Sequence, residues 1–246
     1  FARLAQKIIS ILTLQTREGY VYRIDTRLRP SGNAGPLVTS LESFREYHRH
    51  EAQIWERLAL TRARVVLGQQ QLSDRLTDII RQAVYSAPIS DRDRREIHRL
   101  RMRMENELAR EYEGNYDIKT GRGGMVDVEF TVQYLQLLYG REHPQLRCTG
   151  TFEALRAIRA LELLPEAIAD SLHTGYRFLR KLENRLRIIH DRSVSGLGGS
   201  TGYLDKLALR MGYDSGPEHP GAALTSDYEA ITARIRDCYD SVLGAD

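Results

Sequence analysis

The sequence predicts a mainly α-helical protein, a large helical bundle preceded by a short strand-bearing segment. Three observations predict it. From Ser40 onward, apolar residues recur almost throughout at helical spacing. One stretch, Tyr20 to Leu28, alternates with the period of a strand. Glycine and proline gather in a few breaks, "PSGNAGP", "TGRGG" and "SGLGGSTG", as they do where periodic segments end.

The elements follow in chain order. Residues 1 to about 15 carry Leu4, Ile8, Ile11 and Leu12 on one helical face. In the strand segment Tyr22, Ile24 and Leu28 point one way, and Arg23, Asp25, Arg27 and Arg29 the other. Pro30 ends it. Ser40 or Thr39 can cap a helix running through residues 41–66, in which Tyr47, Ile54, Leu58 and Val65 keep helical spacing. A helix over 72–85 stops before Pro88. Asp91 or Asp93 caps the next, with Ile97, Leu100, Met104 and Leu108 on one side. After the loop "NYDIKTGRGGMVD" comes "VEFTVQYLQLLYG", apolar around most of its circumference and therefore a buried helix. Helices over 151–163 and 166–192 follow, the second with the seam Leu172, Tyr176, Leu179, Leu182, Leu186, Ile189. "SVSGLGGSTG" reads as a turn, and helices near 203–211 and 225–243 close the chain.

Composition narrows the function classes. A formal charge of +3 over 246 residues permits an anionic partner without demanding one. Cys148 and Cys238 form no CxxC pattern and read as free thiols of a reducing cytoplasm. No apolar run reaches membrane-spanning length. The start at Phe1, already inside a helical pattern, points to a piece of something longer.

Two segments could carry chemistry. Asp25, Arg27 and Arg29 share one strand face. A carboxylate there can ligate Mg2+, and the arginines can grip phosphate oxygens with paired donors. An exposed ion pair is the competing reading of the same spacing. In the second segment, Gly121, Gly123 and Gly124 permit close backbone approach, with Lys119 and Arg122 adding positive charge and Asp127 and Glu129 two carboxylates. It fits neither a Walker A loop nor a GxGxxG fingerprint, and a turn whose acids complement a helix dipole is the alternative. His48 and His50 diverge on a helix, which argues against a shared metal. The arginines of 92–110 interleave with Glu96, Glu105, Glu107 and Glu111, as on a solvated face rather than a nucleic-acid surface.

Taken together, "YRIDTRLRPSGNAGPLVTS", "YHRHEAQIWERLALTRARVVLG" and "YDIKTGRGGMVDVEFTVQYLQLLYG" resemble the glutamine synthetase adenylyltransferase family. The blocks stand in family order over residues 1 to about 140. The resemblance implies that residues 1–70 are the C-terminal part of a nucleotidyltransferase domain of the polymerase-β type and 71–246 a helical bundle domain. In that family one half adds AMP from ATP to a tyrosine of glutamine synthetase, and the other removes it by phosphorolysis. "RPSGNAGPLVTS" and "GGMVDVEF" are similar to the adding half. The removing half more often has Phe after the Pro and an Arg-Glu pair where Val126 and Asp127 stand. The resemblance further implies Asp25 as the third metal carboxylate, with Mg2+ as cofactor and ATP as substrate. It implies Arg27, Arg29, Lys119, Gly123 and Gly124 as nucleotide-binding residues, and Asp127 and Glu129 as support, with stabilising the site as the alternative for the two arginines and anchoring the helical domain against the active site as the alternative for the second block. Related PII uridylyltransferases share the second block in part. Glutamine synthetase and the PII signal protein are the implied partners, in the cytoplasm. The Gly-Ser…Asp-x-Asp block that supplies the other two carboxylates has no counterpart here, which implies that this chain alone is inactive.

Overall fold

A computed structural model describes every residue except 18, 20, 21, 23, 191–194, 215–218, 245 and 246. The described residues are mainly α-helical, with ten α-helices and one two-stranded sheet. The chain divides into two units, Phe1–Ala87 and Pro88–Asp246.

The smaller unit holds α1 (Ala2–Leu12), α2 (Leu41–His50), α3 (Ile54–Leu60) and α4 (Gln70–Tyr85). In α1 the predicted apolar face exists, but Leu4, Ile8 and Ile11 stand exposed. Ser40 caps α2, its hydroxyl accepting from Ser43 N at 3.1 Å. The single helix expected over 41–66 is two helices. Glu56, buried, accepts from Gln53 N and from the Tyr47 hydroxyl, both at 2.8 Å, and so restarts the helix at Ile54. No Gly or Pro marks that break. The strand expected over 20–28 is not formed where the chain is described. Residues 22 and 24–28 are loop and turn, and Tyr22 and Leu28 lie exposed; residues 20, 21 and 23 fall outside the described residues. Alternation makes a strand only beside another strand that takes its backbone hydrogen bonds, and these residues have none described.

The larger unit runs α5 (Asp91–Leu108), β1 (Asn115–Asp117), α6 (Met125–Tyr139), α7 (Thr151–Ala160), α8 (Glu166–His190), β2 (Gly196–Gly198), α9 (Thr201–Met211) and α10 (Pro220–Leu243). Ser90, not Asp91 or Asp93, caps α5. Its hydroxyl accepts from Asp93 N at 3.2 Å, while the Asp93 carboxylate takes Ser90 N at 2.9 Å, a reciprocal box that uses the acid three residues on. The helix α6 is buried on nearly all sides, as its apolar circumference requires. It packs against α5, α7, α8 and α10. On α8, Leu172, Tyr176, Leu179, Leu182 and Leu186 are all buried, and that seam meets α6, α7, α9 and α10. Each such leucine contributes about 1.5–3 kcal/mol by leaving water.

The segment read as a turn near 193–202 contributes a strand instead. The strands β1 and β2 pair antiparallel, with Tyr116 opposite Leu197 and Asp117 opposite Gly196. Among the described residues no helix is long and apolar enough to cross a membrane. Cys148 and Cys238 are free.

Candidate functional site

The first candidate lies on the loop between α1 and α2. Asp25 is 53% exposed, and Arg27 wraps its carboxylate. Arg27 N donates to Oδ1 at 2.9 Å, Nε to both oxygens at 3.0 Å, and Nη2 to Oδ2 at 2.6 Å. These hydrogen bonds hold the Asp25 carboxyl down at about 2. Arg29 turns toward its own loop. Its Nη1 donates to the Thr26 carbonyl at 2.8 Å and Thr26 Oγ1 at 2.9 Å, and its Nε donates to the Gly35 carbonyl at 3.2 Å. Gly35 has to be glycine for this closure, since a Cβ there would stand 2.0 Å from the Pro30 carbonyl oxygen.

Mg2+ demands a near-octahedral oxygen shell. The described residues do not by themselves fit one. Both oxygens of Asp25 are taken by Arg27, and among the described residues no group of three His, Cys, Asp or Glu side chains stands ready to hold a metal.

The second candidate is the glycine loop between β1 and α6, in the larger unit. The backbone N–H groups of Lys119, Thr120, Gly121, Gly123 and Gly124 are committed within the protein. Those of Lys119 and Thr120 donate to Asp117 Oδ1, both at 2.9 Å, and those of Gly121 and Gly124 to the Asp117 and Gly121 carbonyls. Gly123 N donates to Asp127 Oδ2 at 2.8 Å. The anion cradled at the start of α6 is thus the chain's own Asp127. Gly123 has φ +69°, and a Cβ on it would stand 1.9 Å from the Thr232 carbonyl oxygen, so α10 leaves no room for a side chain.

Asp127 is fully buried between two arginines. Arg101 Nε of α5 donates to Oδ1, and Arg236 Nη1 of α10 reaches Oδ2 at 3.2 Å. Arg101 Nη2 also donates to the Gly121 carbonyl at 2.8 Å, and Arg236 Nη1 to Glu105 at 2.8 Å. Burial pushes the Asp127 carboxyl up, while Arg101, Arg236 and Gly123 N–H pull it back. Cationic donors on both oxygens offset that burial. Burial opposes the charge of Arg236, yet Asp127, Glu105 and Asp240 hold that guanidinium above its ordinary value. Glu129 accepts from the Tyr176 hydroxyl at 2.9 Å, tying α6 to α8. Lys119 is exposed. A concavity of about 280 Å³ beside the loop is lined by two carboxylates, Glu111 and Glu229, against the single cation Arg122, a lining unsuited to a polyphosphate.

Residues 1–79 match the family model described as glutamate-ammonia ligase adenylyltransferase, and residues 92–243 match the one described as GlnD PII-uridylyltransferase. Over 214 residues, 87% of this chain, the sequence is 36% identical to the bifunctional glutamine synthetase adenylyltransferase/adenylyl-removing enzyme of Thioalkalivibrio sulfidiphilus (strain HL-EbGR7). This chain belongs to the glutamine synthetase adenylyltransferase family. It spans 22% of that relative's length. The helical unit of this adenylyltransferase-family chain is similar to the uridylyltransferase model over almost its whole extent.

The structure therefore gathers the predicted residues into two separate sets. Asp25, Arg27 and Arg29 share one loop; Gly123, Gly124 and Asp127 share the other, with Lys119 on its exposed edge. Sequence reasoning missed Arg101 and Arg236. Arg101 carried a signal, since it lies four residues after Ile97, on the buried side of α5. A cation on an apolar face implies a buried acid to meet it. The arginines read as one solvated face therefore divide. Arg99 and Arg103 form surface pairs with Glu96 and Glu107, while Arg101 is wholly inside.

Proposed function

We propose that this chain is part of a cytoplasmic enzyme that transfers AMP from ATP to a tyrosine of glutamine synthetase. The tyrosine oxygen forms a bond to the α-phosphorus, pyrophosphate leaves, and the hydroxyl proton is lost. The observation that carries this is the 36% identity, over 87% of the chain, to a relative named as a glutamine synthetase adenylyltransferase and adenylyl-removing enzyme. "RPSGNAGPLVTS" and "GGMVDVEF" favour the adding over the removing half.

Within this chain we assign Asp25 to the reacting centre. It is the acid of the first block, and its carboxylate is exposed and charged. One carboxylate does not hold Mg2+ alone, so its contribution here is charge and position. Arg27 keeps Asp25 ionised, and Arg29 shapes the loop that presents it. In the second block, Gly123, Gly124, Asp127 and Glu129 serve as supports that fix α6. Lys119 is the residue of that block able to meet a phosphate. The match to the PII-uridylyltransferase model supports a regulatory link to the PII protein through the helical unit.

Asp25→Asn in the full-length enzyme tests the assignment. Adenylyl transfer should fall roughly 100-fold or more, the scale of losing a charged transition-state partner, with the circular-dichroism spectrum unchanged. Wild-type transfer would remove Asp25 from the centre. The relative's name also states adenylyl removal. ADP release from adenylylated glutamine synthetase and phosphate, lost on Asp25→Asn while transfer persists, would assign this chain to the removing half.

A further inference from the structure

The smaller unit carries a concavity of about 520 Å³ walled by α2, α3 and α4. Its charged lining is entirely cationic. Arg45 and Arg49 come from α2 and Arg57 from α3, with His48 between them, and no carboxylate is among the described lining residues. The acids that balance two of these arginines, Glu42 and Glu46, stand behind the lining and not in it. None of the residues assigned to the reacting centre lines it.

The cations differ in freedom. Arg57 is fixed, its Nε donating to the Val84 carbonyl at 2.9 Å at the end of α4. Arg45 and Arg49 lie four residues apart on one helix and so stand side by side. They pair with Glu42 at 2.7 Å and Glu46 at 3.3 Å, one turn back along α2. Surface pairs of that kind are weak and yield to a multiply charged anion. The His48 ring is held by Phe44 and Tyr47, at centroid distances of 4.3 and 5.2 Å, and its Nε2 is buried without a hydrogen-bond partner. Burial pushes its pKa down against the pull of Glu56. Ile79 and Ala83 give the wall an apolar part, and Gln82 and Ser86 neutral hydrogen-bonding groups.

We propose that this concavity binds a small phosphorylated molecule, its phosphate held between the Arg45 and Arg49 guanidiniums against the positive wall of Arg57. Paired guanidiniums suit phosphate oxygens. The volume lies in the range of small-molecule sites and leaves space beside a phosphate for an organic part.

Inorganic phosphate is the probe, titrated into the 246-residue chain at constant ionic strength while the His48 ring signals are followed by NMR. The expected result is a saturable shift with a rise in the His48 pKa, because a nearby anion favours the imidazolium. Arg45→Ala with Arg49→Ala should weaken binding roughly tenfold or more, the scale of losing charge-assisted bonds. Arg45→Gln, which removes the charge but keeps a polar hydrogen-bonding group, should weaken it too, and a native circular-dichroism spectrum certifies each variant. Three results would overturn the proposal: no saturable shift, an equal shift with chloride, or a shift unchanged in the arginine variants. A shift lost in Asp25→Asn but kept in the arginine variants would place the anion at the reacting centre and equally overturn it.

Discussion

Two aspartate–arginine pairs in this chain share their chemistry and differ in everything else. Asp25 and Arg27 are two residues apart on an exposed loop, with side chains 53% and 74% accessible. Asp127 and Arg101 are 26 residues apart and both wholly buried, with Arg236 closing the other side. Water can replace every bond of the first pair, so Asp25 can exchange Arg27 for a substrate or a cation at little cost. No solvent reaches the second, and an unpaired charge there has nowhere to go. The same residue types thus make an exchangeable pair in one unit and a lock in the other.

Breaking the lock should have the largest effect. Asp127→Ala leaves Arg101, wholly buried, with only a share of Glu105 at 3.2 Å, while Arg236 retains Glu105 and Asp240. We expect a loss of about 3–5 kcal/mol in urea unfolding, the usual result of removing one partner of a buried pair. The matched substitution Asp25→Ala should move the urea midpoint far less, since an exposed pair contributes little. Equal midpoints for both variants would erase the distinction between the two pairs.

The next effect comes from the backbone that delivers Asp127. Gly123→Ala forces a side chain onto a residue at φ +69° and against the Thr232 carbonyl. Strain and overpacking together should cost roughly 1–3 kcal/mol. Gly114 has φ +75° but open space around its would-be Cβ. Gly114→Ala therefore pays the conformational term alone and should unfold at a higher urea concentration than Gly123→Ala. A reversed order would mean that contact with α10 does not set the requirement for glycine at 123.

The contrast between the two pairs was only half legible in the sequence. The helices of the larger unit were, because a 3.6-residue period is written in the residues themselves: the seam of α8 and the apolar circumference of α6 stand where the pattern puts them. Pairing was not. The strands β1 and β2 are Asn-Tyr-Asp and Gly-Leu-Gly, too short and too polar to alternate, and each exists because the other supplies its hydrogen bonds from about 80 residues away. Residues 22 and 24–28 show the converse, alternating without a described partner and lying in loop. The block around Asp127 was visible as a motif. Its role was not, because Arg236 lies 109 residues further on.

The smallest effect sharpens the exposed pair. Arg27 donors hold the Asp25 carboxyl at about 2, against an ordinary value of 3.8. A carboxyl with a depressed folded-state pKa contributes stability that is complete above the unfolded value. That contribution fades as pH falls from 3.8 through about 2. At neutral pH the pairing is therefore fully present, and acid removes it only in that low window. Carbon-13 NMR of the Asp25 carboxyl should show a midpoint near 2 at low salt, rising toward 3.8 in Arg27→Gln. High salt should move the wild-type midpoint the same way, since an exposed pair is screened. The buried Asp127 carboxyl should ignore that salt. A salt-insensitive midpoint at Asp25 would mean that Arg27 is held as firmly as Arg101, and that Asp25 is not free to exchange its partner for a substrate.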